Sequence, residues 1–391
     1  MALQIRNSTP LIDSVGKKIR DEILSSGYSV GDKLPSVTEL AAQFSVSDKT
    51  IQRVLSIMKE DGMLSSHVGK GTFLERLPYE TEDEQIGGGT GTIAVLDGQS
   101  EVDLTQHTES WTTRIVHGMR IEAAEHGVDL LLVNESLELS SLSSKLMQIK
   151  DRVDGVITFP FTDNYTMCNL FRECGIPFTT INRPCANTMD NYVSANYLEG
   201  SKMVGMLFAE IKCRKVLFVT TQIAGIFSKE LRYKGLLEGL RLSGSDSEVE
   251  ILILDSAGDL NGYEAVNDVI KSGNVPDGIY CSGDYLAIGA MAALKKHQIP
   301  IGVEGGTSVV GSSGFELAAH VEPSLSVVQI PMVEMGKRAI KQMLEIKNSR
   351  SKTVPGEIIP TKLILRKSTP ASLIETGWLE RNIEYKTQIN F

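Results

Sequence analysis

No stretch of this 391-residue chain constrains its fold more than residues 34–73, LPSVTELAAQFSVSDKTIQRVLSIMKEDGMLSSHVGKGTF. Pro35-Ser36 opens a helix in which Val37, Leu40, Ala41 and Phe44 recur at helical spacing. Ser45-Val46 reads as a turn. Ser47 then caps a second helix, whose Ile51, Val54, Leu55 and Met58 form one apolar stripe. The opposite face carries Lys49, Gln52, Arg53 and Ser56, and is polar enough to enter a major groove. Gly62 stops the helix, and Gly69-Lys70-Gly71 turns a short hairpin. With the helical stripe Ile12, Val15, Ile19, Ile23 and Leu24 before it, this order of elements predicts a winged helix-turn-helix.

The length predicts two or three domains, each able to bury a core. Hydrophobic residues make up 41% and charged residues 23%, the proportions of an ordinary soluble protein. No apolar run is long enough to span a membrane, and the N-terminus lacks the pattern of a signal peptide, so a cytoplasmic protein is expected. Cys168, Cys174, Cys185, Cys213 and Cys281 form no C-x-x-C and read as reduced thiols. The net charge of −10 argues against a chain that coats nucleic acid indiscriminately. It is also unevenly placed: residues 1–74 hold nine Lys or Arg against eight Asp or Glu, leaving 30 against 41 in the rest. The head is close to neutral, which is little charge for phosphate contacts.

Residues 76–92, rich in charge and glycine and poor in apolar side chains, read as a flexible linker. From Ile93 onward the pattern alternates. The β-rich runs IAVL, VDLLLV, VDGVITF, PFTTI, KVLFVTT, EVEILIL, GIYCSG and SVVGSS are separated by helical stretches such as 111–126, 196–212, 228–243 and 259–272. Repeated strand–helix–strand units imply parallel sheets covered by helices, and the number of units implies two sheets. Ligands in such folds bind at the carboxyl ends of the strands.

The head resembles the GntR winged-helix family over roughly residues 10–75. The resemblance rests on Leu34-Pro35-Ser36, Leu40-Ala41, Val46-Ser47, Thr50-Ile51 and Gly69-Lys70-Gly71-Thr72-Phe73. It implies binding to double-stranded operator DNA, with Ser36, Ser47, Lys49, Thr50, Gln52, Arg53 and Lys70 as candidate contacts. Asp48 and Gln52 stand where the family usually places DNA-contacting arginines. Lys49 and Arg53, one turn apart, are the candidates to replace them, with solvated surface as the alternative.

Residues 93–370 look like the effector domain of the LacI/GalR regulators, which share the two-lobed fold of periplasmic sugar-binding proteins. The landmarks are Val153-Asp154-Gly155-Val156-Ile157, Gly175-Ile176-Pro177 leading to Asn182-Arg183, Arg232-x-x-Gly235, Gly283-Asp284, Ser308-Val309-Val310-Gly311, Pro323 to Val328, and Glu334-Met335-Gly336. A GntR head on a LacI/GalR body resembles the arabinose repressors of Gram-positive bacteria. The implied fold class is α/β: a winged helix-turn-helix domain at 1–75, a linker, and a two-lobed domain with two parallel sheets. Crossings are expected near 212, 328 and 348. Lobe 1 then takes about 93–212 and 329–348, and lobe 2 about 213–328 and 349–370. The tail, 371–391, is either disordered or a strand docked on a partner subunit.

The resemblance implies a small effector, a carbohydrate, between the lobes, and places Trp111, Phe161, Arg183, Gln222, Ser228, Arg232, Asp284 and Ser313 around it. Aromatic faces would pack on sugar C–H surfaces while polar groups bond hydroxyls. Core packing is the alternative for Trp111, and an ion pair for Arg232. The family's acids are thinned here: Asn182 replaces an aspartate, and Gly311-Ser312-Ser313-Gly314 replaces a Gly-Phe-Asp-Asp run. An unusual sugar, a derivative or a non-sugar effector would follow. The expected protein is a homodimeric transcriptional repressor with no cofactor and no metal. No phosphate-binding loop, dinucleotide fingerprint or metal spacing among the six histidines supports an enzyme. A ligand sensor without operator specificity is the remaining alternative, motivated by Asp48 and the near-neutral head.

Overall fold

The computed structural model describes residues 15–16, 18–19, 22–23, 28, 31–60, 63–67, 71–75, 90–97, 110–134, 139–159, 164–183, 191–222, 226–348, 353–380 and 382. Lys70, Phe161, Cys185, linker residues 76–89, the loop 98–109 and tail residues 383–391 lie outside them. The chain divides into a small N-terminal unit and a large body starting at Gly88.

In the N-terminal unit, α1 (Val37–Phe44) starts at Ser36 and ends at Ser45, whose left-handed φ of 55° makes the expected turn. The second helix, α2, spans Asp48–Glu60. Strands β1 (Leu64–His67) and β2 (Gly71–Leu74) pair antiparallel, with Leu64 opposite Leu74 and His67 opposite Gly71. Lys33 adds a bridge to Phe73, so the wing has a third, minimal strand. Val15, Ile19 and Ile23 pack with Leu40, Ile51, Val54, Leu55, Met58 and Leu74 in one core. The described members of the apolar stripes face this core, Val37 and Phe44 only partly buried, while Ile12 and Leu24 lie outside the described residues.

The body holds two six-stranded sheets. The first contains β3 (Thr92–Asp97), β4 (Asp129–Asn134), β5 (Gly155–Thr158), β6 (Phe178–Ile181), β7 (Tyr192–Ala195) and β13 (Glu357–Ile359), in the order β13-β7-β6-β5-β3-β4. The second contains β8 (Lys215–Thr221), β9 (Glu248–Leu254), β10 (Gly278–Cys281), β11 (Ser308–Ser313), β12 (Ser326–Gln329) and β14 (Lys362–Ile364), in the order β14-β12-β11-β10-β8-β9. All pairings are parallel except β12 with β14. Each lobe is thus doubly wound, and its order reverses between β3 and β5 or between β8 and β10. Those reversals are the topological switch points where such sheets bind ligands.

The connecting helices are α3 (Trp111–Glu125), α4 (Leu139–Ile149), α5 (Asn164–Glu173), α6 (Tyr197–Glu210), α7 (Phe227–Leu242), α8 (Asp259–Lys271), α9 (Asp284–Lys296), α10 (Leu317–His320), α11 (Met332–Asn348) and α12 (Ser372–Glu375). Three helix pairs touch backbone to backbone: α3 with α11, α6 with α7, and α8 with α9, where a Cβ at Gly289 would collide with the Asp259 carbonyl. A Cβ at Gly336 of α11 would collide with the Ile115 carbonyl of α3, and one at Gly239 of α7 with the Lys202 carbonyl of α6. Glycine alone permits these approaches.

Three expectations about the body are corrected. The first crossing lies at Asn196 rather than near 212, because α6 packs on α7 of the second lobe. The third lies at Pro360-Thr361 rather than near 348, because β13 pairs with β7 in the first sheet and β14 with β12 in the second. The two crossings are tied together: Asn196 N–H donates to the Ile359 carbonyl at 2.8 Å, and Thr361 Oγ1 to the Asn196 carbonyl at 3.1 Å. The second crossing follows β12, near the expected 328. The tail segment 371–380 neither frays nor forms a strand. It makes the short helix α12, and Leu373 and Trp378 are buried in the body's main core.

The cysteines depart from expectation as well. Cys168 is disulfide-bonded, while Cys174, Cys213 and Cys281 are free. Linear spacing does not report which thiols the fold brings together. Burial, with Asp277 close by, pushes the Cys213 thiol up to about 12, and burial pushes Cys281 up as well, so both stay protonated. No helix among the described residues is long and apolar enough to cross a membrane.

Candidate functional site

Two surfaces, one in each unit, carry the polar groups singled out in the sequence. In the head, Ser36 and Glu39 form a capping box. Glu39 N–H donates to Ser36 Oγ at 3.3 Å, and Ser36 N–H to the Glu39 carboxylate at 2.7 Å. These bonds hold the Glu39 carboxyl below its usual range. Ser47 plays the same part for α2, its Oγ accepting from Thr50 N–H at 3.2 Å and lying 2.8 Å from Thr50 Oγ1. Lys49, Gln52 and Arg53 are exposed along one face of α2, while Ile51, Val54, Leu55 and Met58 are buried on the other. Asp48 is exposed in the first turn of α2, where an acid complements the helix dipole. That gives Asp48 a folding role in a place unfavourable for phosphate.

In the body, the switch points bring together residues distant in sequence. Ser110 caps α3 and seats Trp111 at its start, edge-on to buried Phe159 just after β5, with ring centroids 5.3 Å apart. Trp111 is partly buried and packs against the core, so it joins the first lobe's apolar wall. After β6, Asn182 takes a left-handed φ of 63° and accepts a 2.6 Å hydrogen bond from the Tyr197 hydroxyl. Arg183, the next residue, is half-buried.

On the second lobe, Gln222 follows β8 and is exposed. Arg232 of α7 is only 8% exposed. Its Nε donates to Ser312 Oγ at 2.9 Å and a terminal nitrogen donates to the Ser228 carbonyl at 3.2 Å. Its guanidinium lies 4.3 Å from the centre of the Tyr197 ring. Tyr197 follows the first crossing and bonds back to Asn182, so this stack joins the lobes. Tyr280, on β10, meets Ser201 at 2.7 Å. Burial pushes the Tyr197 and Tyr280 phenols up, so both are neutral donors near pH 7. Lys229, one turn before Arg232, donates to Thr221 Oγ1, and burial together with the Arg232 charge pulls its amine down to about 8.

Asp284 has a different task. It is 1% exposed at the start of α9, and its Oδ2 accepts from the N–H groups of Gly314 and Phe315, each at 2.8 Å. The acid fixes the loop after β11. In that loop Phe315 lies 5.6 Å from Tyr285 and 5.9 Å from the Arg114 guanidinium of the first lobe. Ser313 turns its hydroxyl onto the Ser312 carbonyl. Ser228 contributes its carbonyl, and the hydroxyl that reaches Arg232 is that of Ser312.

Sequence reasoning missed Tyr197, Lys229, Ser312 and Tyr280. Only Lys229 left a local signal: it precedes Arg232 by three residues and shares its helix face. Among the described residues, no group of three His, Cys, Asp or Glu is placed to hold a metal ion.

The structure thus combines a winged helix-turn-helix head with a two-lobed body that carries polar groups at its switch points. Comparison with known proteins agrees. Residues 11–74 match the model of bacterial regulatory proteins of the gntR family, and 207–369 match that of the periplasmic binding protein-like domain. The HTH-type transcriptional regulator RegA of Clostridium saccharobutylicum is 22% identical over 90% of this chain and 98% of its own. The arabinose metabolism transcriptional repressor of Halalkalibacterium halodurans is 24% identical over 93% of this chain and 97% of its own. Among solved structures, the transcriptional regulator CelR–cellobiose complex matches with a TM-score of 0.63 at 18% identity, covering 86% of this chain and all of that one. The lac repressor dimer bound to operator and an anti-inducer matches with a TM-score of 0.63 at 17% identity, covering 76% of this chain. The chain is a transcriptional regulator in which a gntR-type DNA-binding head is joined to a periplasmic-binding-protein-like body.

Proposed function

We propose that this chain is an intracellular, homodimeric repressor whose hold on operator DNA is set by a small carbohydrate bound between its lobes. The observation that carries this is Arg232, buried at the junction of the lobes, held by neutral groups and stacked on Tyr197. A guanidinium has five N–H donors, and the Ser312 hydroxyl and Ser228 carbonyl leave several for a ligand. Trp111, braced edge-on by the buried Phe159, offers an aromatic face at the opposite switch point. Arabinose in one relative's name and cellobiose in one neighbour's title support a sugar. Arg183, Gln222, Ser228 and Ser313 are proposed to line the rim, as is Phe161.

For DNA, Lys49, Gln52 and Arg53 on the outer face of α2 are the proposed base and phosphate contacts. Ser36, Ser47, Thr50 and Lys70 are proposed to support them from helix starts and wing. Two heads in a dimer would occupy successive major grooves of a near-palindromic site. A ligand shifts occupancy only insofar as it binds one lobe arrangement better than the other. A footprint over the DNA flanking its own gene, with and without a sugar panel, tests the proposal. Protection of a near-palindrome that a sugar relieves is expected; no protected site refutes it. Exposed Asp48 in the first turn of α2 favours the second reading, a sensor without a specific operator. Binding titrations at several salt concentrations separate the two, because only a specific site keeps its sequence preference near physiological salt.

A further inference from the structure

Taking the carbohydrate reading above as its basis, we infer that the effector is an acidic sugar, one bearing a phosphate or carboxylate, whose anion sits on Arg232 and Lys229. Both cations stand on the same face of α7, one turn apart, within the first two turns of a 16-residue helix. Arg232 is buried and its protein partners are all neutral: the Ser312 hydroxyl, the Ser228 carbonyl and the Tyr197 ring. Lys229 is half-buried, and its partner, the Thr221 hydroxyl, is neutral too. Among the described residues, no carboxylate forms an ion pair with either cation. The acid expected at this end of the cleft, Asp284, is engaged by the backbone of Gly314 and Phe315.

Burying two like charges without an acid costs free energy, which an anionic ligand offsets. Burial, and next the Arg232 charge, already pull the Lys229 amine down to about 8, and an anion seated there would oppose both. Two features add to the pull. The N-terminus of α7 contributes the positive end of its dipole, and its N-cap residue Ile226 supplies no side-chain acceptor. The guanidinium fork matches a carboxylate or phosphate, which a neutral hydroxyl does not exploit. A neutral sugar would leave both cations without an acid among the described residues. The amide of Asn182 and the hydroxyls around Ser312 remain to read the sugar ring.

The test uses the full chain and matched probes: arabinose against arabinose 5-phosphate, glucose against glucose 6-phosphate, and glucose against glucuronate and gluconate, with inorganic phosphate as the ion alone. Thermal shift ranks them and calorimetry gives affinities. An acidic probe should bind at least tenfold more tightly than its neutral counterpart, and the phosphate and carboxylate arms show which anion is preferred. Lys229→Gln should reduce that preference about tenfold, and Lys229→Glu should reverse it. Affinity for the acid should also fall about tenfold per pH unit above about 8, as the free protein's Lys229 loses its proton. Among the described residues, the groups bonded to or stacked on this pair are Thr221, Ser228, Ser312 and Tyr197, with Tyr280 also interacting with Arg232; the phenols of the two tyrosines, pushed up, stay neutral in that window. Lys229→Gln should abolish the pH dependence.

A neutral sugar that binds as tightly as its acidic partner, or a preference untouched by Lys229→Gln and Lys229→Glu, overturns the inference. Inorganic phosphate binding as tightly as any sugar phosphate overturns it too, since no sugar is then recognised. Failure of every sugar, neutral or acidic, to bind sinks the carbohydrate reading itself.

Discussion

Replacing Asp284 distinguishes a residue that touches the effector from one that builds the loop beside it. Family resemblance makes Asp284 a ligand group, whereas its contacts make it a structural anchor. Its Oδ2 takes the N–H groups of both Gly314 and Phe315 at 2.8 Å while the side chain is 1% exposed. Hydrogen bonds to a charged acceptor contribute about 1.5–3 kcal/mol each. Asp284→Ala removes two of them and leaves the part-buried Gly314 N–H and the buried Phe315 N–H without this partner, for a total of about 3–6 kcal/mol. For a domain of this size that lowers the unfolding temperature by on the order of 10 °C. Asp284→Asn keeps the shape and one acceptor oxygen but loses the charge, and should cost about half as much. Thermal unfolding followed by circular dichroism, without ligand, measures both. If both variants melt like the parent yet no longer respond to a sugar, Asp284 is a ligand group and the anchoring argument is wrong.

Arg53→Ala should weaken operator binding by about 1–3 kcal/mol and relax preference at one base pair, measured by mobility shift on a set of single-base operator variants; unchanged affinity marks Arg53 as plain surface. Lys49→Ala, in contrast, should weaken all sequences alike and reduce the salt slope by about one. Arg232→Met should abolish the effect of sugar on operator occupancy, read by footprinting at saturating sugar; a surviving response would move the site elsewhere in the body. Gly336→Ala drives a methyl into the Ile115 carbonyl and should destabilise the body by about 1–3 kcal/mol in a urea titration, since neither helix backbone can yield locally.

Much of the head was legible because its signals are local. Pro35-Ser36 marks one helix start, Ser45-Val46 its end, and the stripe Ile51, Val54, Leu55 and Met58 marks the buried face of the next helix; the Glu39 half of the capping box went unread. The alternating elements of the body were legible for the same reason: each strand such as Lys215–Thr221 carries its own apolar run. What stayed hidden depends on partners far along the chain. Strands β7, β12, β13 and β14 are only three or four residues long and gain their identity from the edge they join. The crossings at Asn196 and Pro360 follow from those pairings, so no local pattern marks them. Tyr197 was invisible as a site residue because its role comes from Arg232, which lies on the next helix but two strand ends away. Asp284 shows the converse: its position in a motif was plain, yet the backbone of Gly314 and Phe315, thirty residues on, decides what it does.

The strands β13 and β14 are separated only by Pro360 and Thr361, yet each completes the edge of a different lobe. Clipping the chain ahead of Glu357 would therefore bare β7 and β12 together, injuring both halves in one cut. Neither half is an uninterrupted stretch of polypeptide, so neither can be excised as an autonomous module, and the two must mature as one.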